Sequence, residues 1–269
     1  MGVVYKAEDT KLERIVAIKF LPHHIAANAE ERERFKIEAK AAAALNHPNI
    51  ATIYAIEEVD GEMFIVMEYI DGRELRKIAT SKQLSVNSII DIAMQIAEGL
   101  KAAHVKGITH RDIKSSNIMV TESGQVKIMD FGLAKIGGDL HLTKSGTTLG
   151  TAAYMSPEQA RGEKVDHRTD IWSFGVVLYE MISGRLPFRG EYESAMMYSI
   201  LNEEPEPLTS LRSNVPMDLE RVVAKMLAKN PAERYQHVDE LPVDLKTIDL
   251  SATGTSRIST AKVARQTEK

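Results

Sequence analysis

Eight consecutive residues, His110-Arg111-Asp112-Ile113-Lys114-Ser115-Ser116-Asn117, supply an acid, a cation and an amide just after a helix that Lys106-Gly107 ends. A loop is their natural setting. Thirteen residues beyond Asn117, Asp130-Phe131-Gly132 follows a short strand from Val126 to Met129, with Gly124 marking the turn before it. Asp130 is therefore expected at a strand end. Groups of these types can orient a proton, offset negative charge and offer hard oxygen ligands. Two further residues are awkward in any fold. Alternation from Arg14 to Leu21 places Ile15, Ala17 and Lys19 on one face of a strand. The 3, 4, 3 spacing of Phe35, Glu38, Ala42 and Leu45 aims Glu38 inward from an otherwise apolar helix face. A buried carboxylate is costly unless paired, so Glu38 and Lys19 are expected to meet. The alternative is that both are surface charges at the ends of amphipathic elements.

The elements that must position these groups change character near residue 72. Before it, a helix from Asn28 to Leu45, opened by Glu30 and Glu31 at the positive end of its dipole, lies among strands. Strands Ile50 to Glu57 and Met63 to Tyr69 are joined through Asp60-Gly61, a hairpin signal. From Leu84 onward helices dominate, over about Ser88–Val105, Thr169–Ser183, Tyr192–Asn202, Asp218–Ala228 and Asp239–Ile248. Ile171 to Ile182 is the most apolar stretch, yet Trp172, Ser173 and Gly175 mark it as a buried helix rather than a membrane span. Residues 249–269 carry Arg257, Lys262, Arg265 and Lys269 among Ser and Thr, and read as a disordered basic tail.

Composition excludes several classes. The 269 residues are 43% hydrophobic and 27% charged, as in ordinary folded domains. With 34 Lys and Arg against 38 Asp and Glu, the net charge of −4 offers no global basic field for nucleic acid. The absence of cysteine removes thiolate metal sites and Cys nucleophiles, and suits a reducing, cytoplasmic location. His23-His24 lacks a convincing set of partners for a metal.

Five fixed identities in the first motif arise by chance on the order of once in a few million start positions. At these residues the chain resembles the protein kinase family, from Met1 to about Ile248. The resemblance rests on Val16-Ala17-Ile18-Lys19, His110-Arg111-Asp112, Asp130-Phe131-Gly132, and Ser156-Pro157-Glu158, with Asp170-Ile171-Trp172-Ser173-Phe174-Gly175 and Arg234 further on. Lys114, Gly150-Thr151-Ala152-Ala153-Tyr154-Met155-Ser156-Pro157-Glu158-Gln159 and Asn230-Pro231-Ala232-Glu233-Arg234 resemble bacterial serine/threonine kinases of the eukaryotic type.

The resemblance implies an α+β, bilobal fold: a small β-sheet lobe with one main helix (1–70) and a larger, mostly helical lobe (71–248). It implies transfer of the ATP γ-phosphate to Ser/Thr hydroxyls of proteins, with Mg2+ or, in its place, Mn2+. Lys19 would hold the α and β phosphates with Glu38 fixing it, and Asn117 and Asp130 would bind the metal. Asp112 would orient the hydroxyl, Lys114 contact the γ-phosphate, and Thr151 support Asp112. Backbone groups of Glu68 and Ile70 would meet the base, with Met67 guarding the pocket behind, Glu74 near the ribose, and Val4, Ala17 and Met119 around the adenine. Glu158 and Arg234 would form a buried pair.

The family's Gly-x-Gly-x-x-Gly loop is represented only by Gly2, so the small lobe is expected to lack its first strand and part of that loop. Ser115 and Ser156 stand where Pro and Ala are frequent. A catalytically silent binding module is the competing reading. Self-association for autophosphorylation at one or more of Ser145, Thr147 and Thr148, with the phosphate bridging Arg111 and Lys135, is the expected regulation. No nucleic-acid partner and no membrane span in this chain are expected.

Overall fold

The computed structural model describes residues 3–21, 28–81, 83–131 and 152–248. Its hairpin at Asp60-Gly61 has φ of 53° and 82°, the doubly positive backbone that lets a two-residue turn follow the twist of its strands. It joins β3 (Ile53–Val59) to β4 (Glu62–Glu68), and with β1 (Val4–Asp9) and β2 (Arg14–Phe20) they form an antiparallel sheet ordered β1-β2-β4-β3. β4 buries alternate residues, and Met63, Ile65 and Met67 pack with Phe35 and Ala39 of the helix α1 (Ala29–Ala43). Asn28 caps that helix by accepting from the backbone N–H of Glu30 and Glu31.

The strand expected from Ile50 starts only at Ile53, because residues 49–52 cross to a second sheet. That sheet, ordered β5-β6-β7, comprises β5 (Gly72–Glu74), β6 (Ile118–Thr121) and β7 (Val126–Ile128). Ile128 N–H donates to Asn49 O and Ala51 N–H to Ile128 O, both at 2.9 Å. Glu68 N–H donates to Thr52 O at 2.8 Å, so the same segment also meets the end of β4.

The helical part contains α2 (Leu75–Ser81), α3 (Val86–His104), α4 (Pro157–Ala160), α5 (Arg168–Ser183), α6 (Glu193–Asn202), α7 (Leu208–Leu211), α8 (Met217–Met226) and α9 (Leu241–Thr247). The last predicted helix opens instead as a 3-10 turn, Val238–Glu240, before α9, whose Pro242 fits only the first helical turn. α5 is buried from Thr169 to Ile182 and is the post around which the others pack. α8 crosses it closely: a Cβ on Gly175 would lie 2.8 Å from Met226 Cβ, which explains glycine there. Among the described residues no helix is long and apolar enough to cross a membrane.

The expected pair between Glu158 and Arg234 is present and bidentate, with Nη1–Oε1 at 2.7 Å and Nη2–Oε2 at 2.8 Å. The Arg234 side chain is fully buried, and its remaining N–H groups donate to Ala228 O, Arg168 O and Lys229 O. Burial alone would raise the Glu158 pKa, but the hydrogen bonds and charge of Arg234 hold it below the ordinary carboxylate value. Arg234→Ala strands this carboxylate, so a loss of about 3–5 kcal/mol is expected in denaturant unfolding at neutral pH. Because the folded pKa is depressed, the pair's contribution is present above the ordinary carboxylate range and is lost as pH falls through the folded value. A parent-like unfolding midpoint for Arg234→Ala at pH 7 would contradict this.

Candidate active site

The segment after α3 is held by one carboxylate. Asp170, fully buried in the first turn of α5, accepts from the backbone N–H of His110 at 2.8 Å and of Arg111 at 2.7 Å. His104 Nε2, at the end of α3, contacts the same carboxylate at 2.8 Å. These bonds fix Arg111 at φ 68°, a left-handed conformation that costs a non-glycine residue energy, and turn the chain so that Asp112 follows. The Arg111 carbonyl is in turn bonded by Gln159 Nε2 at 2.9 Å.

The fully buried His110 connects this loop to the strand before Asp130. Its Nδ1 accepts from Asp112 N–H at 3.2 Å and its Nε2 lies 2.8 Å from Met129 O. A carbonyl only accepts, so Nε2 carries the proton and the ring is the neutral tautomer. The ring also stands edge-on to Phe131, 4.6 Å between centroids. Asp130 adopts φ 62° just past β7. The strand-end placement read from the sequence is thus observed.

Around Asp112, Lys114 Nζ lies 2.7 Å from Oδ2 and Asn117 Nδ2 donates to Oδ2 at 3.1 Å and to the backbone carbonyl at 2.9 Å. With its amide nitrogen so engaged, Asn117 has its carbonyl oxygen left as acceptor. That oxygen and the Asp130 carboxylate are hard oxygen donors, the type that Mg2+ takes. The Ser115 hydroxyl contacts Tyr154 OH at 2.9 Å, which donates to Glu180 Oε2 at 2.6 Å, so serine here joins a buried network. Burial and Glu180 raise the Tyr154 pKa, keeping its proton in place. Ser156 caps α4, its hydroxyl accepting from Gln159 N–H while Gln159 Oε1 accepts from Ser156 N–H.

On the facing sheet, Val4 pairs with Lys19, and Ala17 pairs with Met67. Residues directly opposite in an antiparallel pair share a face, so Val4, Ala17, Lys19 and Met67 project to one side. In the second sheet Glu74 pairs with Met119. Glu68 ends β4 and Ile70 follows it in the connection to β5. Gly2, Thr151, Gly132, Lys135, Ser145, Thr147, Thr148, His23, His24 and the 249–269 tail lie outside the described residues.

The expected contact between Lys19 and Glu38 is not formed. Lys19 Nζ lies 2.7 Å from Asp130 Oδ2 instead. Glu38 Oε2 is buried without a hydrogen-bond partner among the described residues, and so is Arg111 Nε. Burial pushes the Glu38 carboxyl up to about 7, partly offset by the positive charges of Arg111 and Arg34. The physical reason is competition: Asp130 presents a carboxylate nearer to the lysine than the helix does. Sequence reasoning did not single out His104 or Gln159 as positioning residues. An isolated histidine on an apolar helix gives no signal of its own, and Gln159 reads as an ordinary helix former.

A small antiparallel sheet beside a helical lobe, with an Asp-Lys-Asn loop and a strand-end aspartate at their junction, is the bilobal architecture of the protein kinase fold. Residues 1–241 match the protein kinase domain family. The chain belongs to the protein kinase family. It is 41% identical over 252 residues to serine/threonine-protein kinase PknB of Mycobacterium tuberculosis, covering 91% of this chain and 40% of the relative. A probable serine/threonine-protein kinase of Streptomyces coelicolor is 41% identical over 253 residues, covering 91% of this chain and 38% of that protein. The chain therefore spans about two fifths of the length of these relatives. The crystal structure of the Mycobacterium tuberculosis PknI kinase domain superposes with a TM-score of 0.73 at 26% identity, covering 91% and 90% of the two chains.

The Glu38 carboxyl generates a pH prediction. Its folded pKa of about 7 exceeds the ordinary 4.5, so the ionised form costs stability: nothing below 4.5, progressively more between the two values, and the full amount above about 7. Glu38→Gln is expected to stabilise the nucleotide-free protein by about 1 kcal/mol at pH 8, solvent screening included, and by little at pH 5. Melting curves at the two pH values measure it; an equal gain at both would place Glu38 in water.

Proposed function

We propose that this chain is a catalytic serine/threonine protein kinase domain, with a small lobe at 1–70 and a large lobe at 71–248, that uses ATP and Mg2+. The observation that carries the reading is the convergence of Lys114 and Asn117 on the Asp112 carboxylate, with Lys19 on Asp130 across the junction. Phosphoryl transfer requires the phosphates in line, their charge offset and the hydroxyl oriented, and little covalent help from the protein. Asp112 accepts the hydrogen of the incoming Ser/Thr hydroxyl. Lys114, already on that carboxylate, balances charge as the phosphoryl group moves. Lys19 binds the α and β phosphates, and Glu38 leaves its unpaired position to hold it. Asn117 and Asp130 would hold the metal, which would supply screening of the phosphate charge. Backbone groups of Glu68 and Ile70 take the adenine edge, Val4, Ala17 and Met119 its faces, and Glu74 the ribose. Gly2 and Thr151 serve the phosphate and substrate ends.

Activity is raised by phosphorylation of Ser145, Thr147 or Thr148, through transient association of two copies. Arg111 supports this, since its Nε is buried with no hydrogen-bond partner among the described residues. A phosphate with nearly two negative charges is suited to such a cation.

Lys19→Met and Asp112→Asn are each expected to lower phosphate transfer to a basic protein by at least about 10²-fold while melting stays cooperative. Parent-like transfer by Asp112→Asn sinks the mechanism. Nucleotide binding by the parent without transfer would assign the chain to the silent binding modules. Mass spectrometry after incubation with ATP and Mg2+ is expected to find phosphate at Ser145, Thr147 or Thr148, and none in Asp112→Asn.

A further inference from the structure

Lys127 occupies the middle of β7, where its neighbours Val126 and Ile128 are fully buried and it is itself only 9% exposed. A lysine is rarely so placed unless its charge is matched. Its Nζ bridges both oxygens of Glu68, at 2.8 Å from Oε1 and 2.9 Å from Oε2. Glu68 Oε2 also accepts from Thr52 N–H at 3.1 Å, while Glu68 N–H donates to Thr52 O at 2.8 Å. The last residue of β4 is thus gripped three ways: its carboxylate by a lysine of the second sheet and by the Thr52 N–H, and its own N–H by the Thr52 carbonyl.

The register shows what this grip faces. Glu74 pairs with Met119, and Met119 pairs with Lys127, so these three side chains form one row on one face of the second sheet. Lys127 is therefore aligned with the two residues assigned to ribose and adenine. The main chain leaving Glu68 is the connection between the sheets, and no group of the transfer step uses the Glu68 carboxylate or the Lys127 amine.

We propose that the Glu68–Lys127 ion pair is a clamp that positions the 68–70 peptide for the adenine base, setting nucleotide affinity and base preference without acting in transfer. It rests on the reading of the Glu68 and Ile70 backbone as the base-recognition edge. The pair is internal to the chain, so it acts on the nucleotide only by preorganising the 68–70 backbone, and its loss shows as weakened binding.

The test uses the full chain, with binding of ATP and GTP measured by titration, ATP KM and kcat by phosphate transfer, and melting alongside. Lys127→Met is expected to raise the Kd and KM for ATP about tenfold, to narrow the preference for ATP over GTP, and to leave kcat within about twofold. Lys127→Arg, which retains the charge, is expected to stay within about threefold of the parent in Kd. Glu68→Gln combined with Lys127→Met is expected to bind no more weakly than Lys127→Met alone, because the two changes remove one interaction. A lowered melting temperature with unchanged Kd and base preference makes the pair merely structural and overturns the clamp. A fall in kcat with unchanged KM also overturns it. If the parent binds ATP and Asp112→Asn abolishes transfer while Lys127→Met binds like the parent, the clamp alone fails. If the parent binds no nucleotide, the functional reading beneath it fails too.

Discussion

The Asp170 carboxylate is the constraint on which the remaining geometry depends. Its side chain has no solvent exposure, and an ion placed there without partners would cost several kcal/mol. Three donors and the first turn of α5 supply compensation, and two of those donors are backbone N–H groups of His110 and Arg111. The carboxylate is thus satisfied only when the loop takes one conformation. That conformation includes the left-handed Arg111, whose cost is tolerated because releasing it would leave a buried charge short of donors.

From this anchor the order spreads by contact. His110 passes it to Met129, next to Asp130, through one protonated ring nitrogen. Gln159 passes it to α4 through the Arg111 carbonyl, and α4 is fixed in turn by the buried Glu158–Arg234 pair and the Ser156 cap. Arg234 ends in three carbonyls from the loop after α8 and from the start of α5. The result is a closed circuit of buried polar bonds: α5 holds the loop, the loop holds α4, and α4 is tied back to α5. Such circuits are cooperative, since removing one member leaves another unsatisfied.

The sequence disclosed those parts whose chemistry is local. Asp60-Gly61 specified its turn because only certain residues take two positive φ angles, and the apolar run from Ile171 specified a buried helix. The loop motif and Asp130 were legible as types and spacings, and so was the Glu158–Arg234 pair through family resemblance. What was not legible depends on distance in space. The segment 49–52 reads as the start of a strand, yet it leaves its own sheet to pair with β7. The short elements β5, β6, α4 and α7 carry too few residues for periodicity to register. Lys127 between two apolar residues reads as the solvent side of an alternating strand, and only the fold reveals Glu68 opposite it. Ser115 and Ser156 read as neutral departures from the family; in the structure each hydroxyl has a buried partner.

The one expected contact that fails shows how charge is distributed when no phosphate is bound. Four groups share the junction: Lys19, Arg111, Glu38 and Asp130. Lys19 can neutralise one carboxylate at short range, and it takes Asp130. Glu38 is left half-buried with its pKa raised, while Arg111 lends it only a through-space attraction. The arrangement therefore holds an unmet cost at both Glu38 and Arg111, and each is lowered only by an added charge of the right sign. Under the proposed function a metal held by Asp130 would offset that carboxylate and leave Lys19 to pair with Glu38, and a phosphate would be a suited partner for Arg111. The junction therefore answers to added charge while its loop stays fixed, because the Asp170 carboxylate holds the backbone N–H groups of His110 and Arg111 whichever carboxylate Lys19 pairs with.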